Sequence, residues 1–417
     1  MGIEGFIDIQ LIMKGSGIND VEIRSSRPVY ASRVFIGKSV NKSLTMLPLL
    51  FSICGVAQAC AGVRACEQAL GLKVPVQLEQ VRNKLVNMET LREHLWRILL
   101  DWPILLDKQL LDKQLLDEQS LNQPLQTQEM SQIIKHQNDY RKLLTAGSNP
   151  FLLEQEIPSV CVANCQPISK LNQILEKSIF ALSPDKWLKI DSIEKLQHWF
   201  ESSETIAARF LKKIHQNQWQ SLGHNHIKGL LLLETEGLET KSLEMEALDI
   251  DTLYAQFENE TFVKQPLWED KCCETNSLTR VDSPLLQELH RQWGNGLMSR
   301  LVARLTEMAQ IICELLDEPE NPSPAMNQNR CNIQGNGIGV VNAARGLLIH
   351  HVSVEQERIK KYQILAPTEW NFHPQGVVTQ SLACLQGDSE QIKIQADLLI
   401  NAIDPCVGYK FLLDKRE

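Results

Sequence analysis

Helical spacing of apolar residues over four long stretches, 41–70, 76–100, 191–220 and 284–316, restricts the fold of this chain more than any other feature of its sequence. In the third stretch Ile193, Leu196, Trp199 and Phe200 fall on one face, and Ile206, Phe210 and Ile214 continue it. A stripe of that kind marks a helix face turned into a core, not a cofactor site. Strand-like runs are short and gather near the two ends, at 3–13, 340–352 and 359–365. We therefore expect a mainly helical α+β fold, one domain over 1–417, in which the first and last segments meet. A length of 417 residues allows a large core, and 43% hydrophobic with 22% charged residues is the balance of a soluble globular protein. No apolar run reaches membrane-spanning length, so no membrane insertion is expected. A net charge of −9 without a basic patch argues against nucleic acid as a partner.

Two short motifs stand near the ends of the chain. Ser52-Ile53-Cys54-Gly55-Val56-Ala57 lies early, and Asp404-Pro405-Cys406-Val407-Gly408-Tyr409 lies late. They resemble the C-x-x-C motifs that bracket the large subunit of nickel–iron hydrogenases, ICGVC near the start and DPC-x-x-C at the end. In each the first cysteine is kept and the second is replaced, by Ala57 and by Tyr409. Two thiolates three residues apart converge on one soft or borderline metal ion, and two such pairs supply four sulfurs. In the resembled family the first cysteines bind nickel terminally, and the second ones bridge nickel to an iron carrying cyanide and carbonyl. The chain thus resembles a large subunit that has lost both bridging ligands. Cys60, six residues after Cys54, is a further candidate ligand at a spacing the family does not use.

The similarity extends through segments 3–103 and 257–411. Ile3-Glu4-Gly5-Phe6-Ile7-Asp8-Ile9 resembles the opening IEGHLRI strand and keeps its carboxylate as Glu4. Arg33-Val34-Phe35-Ile36 stands where the family has RGFE, and Ile36 offers no oxygen to the magnesium ion that the acidic residue would bind. Glu274-Thr275-Asn276-Ser277-Leu278-Thr279-Arg280 is similar to ETGPLAR, and Ala343-Ala344-Arg345-Gly346 to APRG, followed by His350. Tyr362-Gln363-Ile364-Leu365-Ala366-Pro367-Thr368-Glu369-Trp370-Asn371 is similar to YQ-x-x-x-PT-x-WN. Between the matched segments, 105–137 reads as a low-complexity insertion opened by a five-residue repeat, LLDKQ-LLDKQ-LLDEQ, expected as a surface helix or an excursion. Apolar spacing is helical again from Glu129 to Ala146. Gly335-x-Gly337-x-Gly339 lacks the following helix that a dinucleotide fingerprint needs, and we expect these glycines to let backbone pass close to the metal pocket.

The resemblance implies particular chemistry for the kept residues. The family's APRG arginine and the Pro-Thr before WN surround cyanide ligands of the iron, so Arg345 and Thr368 would donate to those anionic acceptors and Pro367 would wall the pocket. A kept cyanide pocket without the nickel–iron bridge is the pattern of hydrogenase assembly proteins of the HupK/HoxV type. It implies a non-enzymatic scaffold that carries an Fe(CN)2CO fragment transiently on Cys54 and Cys406, with neither nickel nor magnesium expected. Implied partners are the maturation factors that build and carry that fragment and the apo large subunit of a hydrogenase. Two other functions stay open here: a metal-free chaperone mimicking the large-subunit surface, and a divergent nickel-dependent hydrogenase. Each residue also has a plainer alternative, a packed thiol for Cys54 and Cys406 and a buried turn tied down by Arg345.

The cysteines of the whole chain suggest reduced thiols in the cytoplasm. There are 11, an odd number, and the match begins so close to Met1 that no secretory leader is expected. Cys161 with Cys165, and Cys272 with Cys273, lack partners at zinc-finger spacing. His224 and His226 have no partner motif either, and the acidic run from Glu234 to Glu246 reads as a solvated face.

Overall fold

The computed structural model describes residues 5–109, 123–155, 165–232, 245–317 and 335–415. Glu4, Cys161, Cys331, most of the five-residue repeat and most of the acidic run lie outside these described residues.

All four helical stretches are present, and three of them are broken in two. The first divides into Val40–Leu50 and Gly55–Leu70. Pro48 removes a backbone donor inside the first piece, and the chain leaves helical geometry just before Cys54. The third divides into Ile193–Ser202 and Ile206–Gln216, the latter capped by Thr205, whose side chain accepts from the Ala208 N–H. The fourth divides into Pro284–Trp293 and Leu297–Leu316 around Gly294, whose φ of 57° stops the helix. The second stays continuous as Val76–Trp96, then widens into a π-helical turn, Arg97–Asp101, and resumes as Trp102–Gln109.

The two ends of the chain meet in a three-stranded sheet. Ile7–Lys14 pairs antiparallel with Gly17–Ser25 and parallel with Tyr409–Lys415, with Ile7 opposite Tyr409. The Ile7 N–H donates to the Gly408 carbonyl at 3.0 Å, so the Cys406 segment is tied directly to the first strand. Neither outer strand is visible in the sequence pattern. A second sheet is an antiparallel meander of Asn336–Ala343, Gly346–Glu355 and Arg358–Leu365. Here the expected single strand over 340–352 is a hairpin instead, turning at Ala344–Arg345. A third, parallel sheet sets Lys228–Leu232 between Met245–Leu248 and Cys273–Glu274.

The meander packs against Gly55–Leu70, and its glycines make that contact possible. A Cβ at Gly337 or Gly339 would overlap the carbonyl oxygen of Ala65 or Ala61. The close approach expected for Gly335-x-Gly337-x-Gly339 is thus made to the helix behind Cys54, not to the pocket. Gly339→Ala should destabilise the protein by about 1–3 kcal/mol, the usual cost of overpacking, measured by chemical denaturation; an unchanged midpoint would contradict the packing.

One apolar core runs under most helices, with Trp102 stacked on Phe210 at 4.4 Å between ring centroids. Leu105 and Leu106, the first residues of the repeat, are buried in it, contrary to the expected surface excursion. A helix Gln123–Thr145 follows and buries Met130, Ile133, Tyr140 and Leu144. Among the described residues no helix is long and apolar enough to cross a membrane.

Candidate functional site

Cys54 stands at the N-terminus of Gly55–Leu70, directly after the break that follows Pro48. The orphan N–H groups of Val56 and Ala57 donate to the Glu89 carboxylate, each at 2.9 Å, so the helix is capped from the neighbouring Val76–Trp96 helix. Burial pushes Glu89 up to about 7, against those two donors. The Gln58 side-chain N–H reaches the Cys54 sulfur at 3.6 Å.

Cys406 arrives from the other end of the chain. The Thr368 hydroxyl lies 2.7 Å from its sulfur and also accepts the Cys406 N–H at 3.2 Å. Thr368 sits in the short helix Pro367–Asn371, which Pro367 opens at its first position, where a missing N–H costs nothing. Arg27 donates from Nη1 to the Cys406 sulfur at 3.1 Å and from Nε to Glu369 at 2.6 Å. Burial acts against the Arg27 charge, but the Cys406 sulfur and Glu369 outweigh it and keep the guanidinium ionised. The two cysteines share one electrostatic site: burial, then Cys406 and Glu89, push the Cys54 thiol up to about 12, while Gln58 and Arg345 oppose this.

Arg345 occupies the hairpin turn beside both sulfurs. It donates from Nε to Asp404 at 3.1 Å and pairs through Nη2 with Glu93 at 3.1 Å. Its third nitrogen, Nη1, is buried with no hydrogen-bond partner among the described residues. Asp404 is a hub, bound also by Arg97 at 2.8 Å and facing Arg304 at 3.8 Å. Burial works to raise its carboxyl, but Arg345, Arg97 and Arg304 hold it down at about 2. The turn itself is fixed by Arg280, which donates to the carbonyls of Ala343 and Ala344 at 2.8 and 3.1 Å and pairs with the buried Glu307. A cleft of about 440 Å³ opens onto Cys406, Arg345, Arg97 and Tyr409. Its lining includes neither Pro367 nor Thr368, both of which are buried.

The fold therefore gathers Cys54, Cys406, Arg345 and Thr368 at one site, with Pro367 at the head of the Thr368 helix. Cys60 is buried in the middle of the same helix as the Cys54 turn, and the charges around it are Arg64, Glu79, Arg82 and Glu67, a different set. His224 Nδ1 pairs with Asn295 at 3.0 Å. Ile36 is exposed. Sequence reasoning missed Arg27, Gln58, Glu89 and the hub role of Asp404. The Asp-Pro-Cys motif contained Asp404, but nothing in the local pattern marked Arg27, which meets Cys406 across almost the whole chain.

Residues 287–408 match the family described as nickel-dependent hydrogenase. The chain is 24% identical, over 97% of its length, to the hydrogenase expression/formation protein HupV of Azotobacter chroococcum, of which the match covers 98%. It is 25% identical, over 93% of its length, to the hydrogenase expression/formation protein HoxV of Cupriavidus necator, covering 91% of that protein. Its fold is similar to that of the Ni-Fe-Se hydrogenase from D. vulgaris Hildenborough, with a TM-score of 0.61 at 15% identity and 94% of each chain covered.

Proposed function

This chain belongs to the nickel-dependent hydrogenase large-subunit-like family, and we propose that it serves hydrogenase maturation as a carrier for an Fe(CN)2CO fragment. The observation that supports this most directly is the convergence of Cys54 and Cys406, from opposite ends of the chain, beside a buried arginine with one unpaired nitrogen. Thiolates suit a soft or borderline iron fragment. Among the described residues no three His, Cys, Asp or Glu side chains converge as a metal cage. A fragment that brings its own cyanide and carbonyl ligands needs only the two sulfurs.

Each residue then has a defined task. Cys54 and Cys406 hold the iron, and Arg27 and Thr368 keep the Cys406 sulfur oriented and its charge compensated. The free Nη1 of Arg345 is a donor suited to a cyanide nitrogen, and a guanidinium is always charged. With Ala57 and Tyr409 in the two remaining motif positions, no sulfur bridges to nickel there, so the fragment is held and not put to work. Two sulfurs also release it more readily than a closed cage of four. Its recipients and donors would be the apo large subunit of a hydrogenase and the factors that build the fragment, all in the cytoplasm.

Infrared spectroscopy with metal analysis tests this on protein purified without oxygen from a host that expresses the maturation machinery. The expected result is cyanide and carbonyl stretches with iron and without nickel. Neither bands nor metal would overturn the carrier role and favour a metal-free mimic of the large-subunit surface.

A further inference from the structure

We propose that Tyr362, His350 and Gln58 are positioning residues for Cys54, a buried hydrogen-bond chain whose donors all point toward the Cys54 sulfur. The proposal rests on the reading of Cys54 as a ligand of the iron fragment. Tyr362 Oη lies 2.9 Å from His350 Nδ1, His350 Nε2 lies 2.9 Å from Gln58 Oε1, and Gln58 Nε2 lies 3.6 Å from Cys54 Sγ.

The direction of each hydrogen follows from the chemistry of the partners. Gln58 Oε1 only accepts, so the hydrogen between it and His350 belongs to Nε2. Burial disfavours the imidazolium and pushes His350 down to about 3, so the ring is neutral and its Nδ1 is an acceptor. The Tyr362 hydroxyl therefore donates, and the Gln58 amide presents its N–H to the sulfur. Bonds that run in one direction through a buried chain polarise and strengthen one another. The three residues come from three elements: Gln58 from Gly55–Leu70, His350 from Gly346–Glu355 and Tyr362 from Arg358–Leu365.

Gly62 supplies the room for this chain. A Cβ there would come within 2.8 Å of Tyr362 Oη and 3.5 Å of His350 Nδ1. His350 also lies on the strand that begins immediately after Arg345, so one strand serves the site twice, through Arg345 at its head and through the chain behind Cys54. Cys406 takes a donor from Arg27 and has the Thr368 hydroxyl against its sulfur, and Gln58 is the counterpart at Cys54.

The test is the iodoacetamide reactivity of each cysteine in the full-length, metal-free protein at one fixed pH, resolved by peptide mass spectrometry. Gln58→Leu should slow Cys54 about tenfold, the worth of one hydrogen bond to a charged group. Tyr362→Phe, which keeps the ring, should slow Cys54 by a smaller factor in the same direction, with Cys60 and Cys66 of the same helix as protected as in the wild type. A Cys54 rate that is unchanged or faster in Gln58→Leu, or unchanged in Tyr362→Phe, overturns the proposal. So does a change at Cys54 accompanied by newly reactive Cys60 and Cys66, the mark of a loosened helix. No metal enters this measurement, so its failure leaves the iron assay untouched, and absence of iron in that assay leaves this one readable.

Discussion

Alanine at Cys54 or at Cys406 is expected to strip the iron fragment from the purified protein. The two sulfurs reach one site from opposite ends of the chain, and the second bond to the iron forms at the high local concentration that the folded chain imposes. Losing either sulfur forfeits that gain, about 10²–10⁴-fold in affinity, enough for the fragment to be lost during desalting. Cys406→Ala also leaves Arg27 without its sulfur partner, with Glu369 still opposite it. Cys406→Ser separates the two effects, because a hydroxyl still accepts from Arg27 but is a poor ligand for a soft iron centre. Iron per chain should fall to background in Cys54→Ala, Cys406→Ala and Cys406→Ser, and remain at the wild-type level in Cys60→Ala. Wild-type iron in both alanine variants would refute ligation by this pair. Loss of iron in Cys60→Ala without unfolding would mean that the buried thiol takes part after all.

What the sequence showed of this molecule depended on how local the cause was. The helices were legible because their apolar spacing is a property of neighbouring residues, and the break at Gly294 has a local signal as well. Tyr409–Lys415 was illegible because it is an exposed edge strand held by pairing with Ile7–Lys14, and it buries no alternating apolar face. Leu105 and Leu106 were misjudged because a five-residue repeat has no helical period, yet both are buried with the core that Trp102 and Phe210 share. At the site, Cys54, Cys406, Arg345 and Thr368 could be marked from motifs. Their partners could not: which arginine meets Cys406, and which carboxylate collects three guanidinium groups, is decided by tertiary packing. Arg345 bears out the plainer reading given for it, since it ties down a buried turn through Asp404 and Glu93, and its Nη1 has no partner among the described residues.

Glu307→Gln is expected to be the most damaging single change to stability, and to act on the site from behind. Glu307 is buried on Leu297–Leu316 and accepts from Arg280 Nη2 at 2.9 Å, from the Ser277 hydroxyl at 2.7 Å and from His94 at 2.7 Å. Burial works to raise its carboxyl, but Arg280 and the His94 hydrogen bond hold it well below the usual range. Glutamine keeps the shape, loses the charge and turns an N–H₂ toward Arg280 or its neighbours. Breaking a buried pair by altering one partner costs about 3–5 kcal/mol. Arg280 also holds the Ala343 and Ala344 carbonyls, so the turn that presents Arg345 should loosen with it. Because the folded pKa is depressed, the contribution of Glu307 is fully present above the unfolded value of about 4.3 and is lost as pH falls below it toward the folded value. The stability difference between wild type and variant, from urea unfolding at several pH values, should be constant above pH about 5 and shrink steadily below pH about 4. A difference under about 1 kcal/mol, or one that does not narrow on acidification, would mean that Glu307 is not the anion on which the Arg280 turn depends.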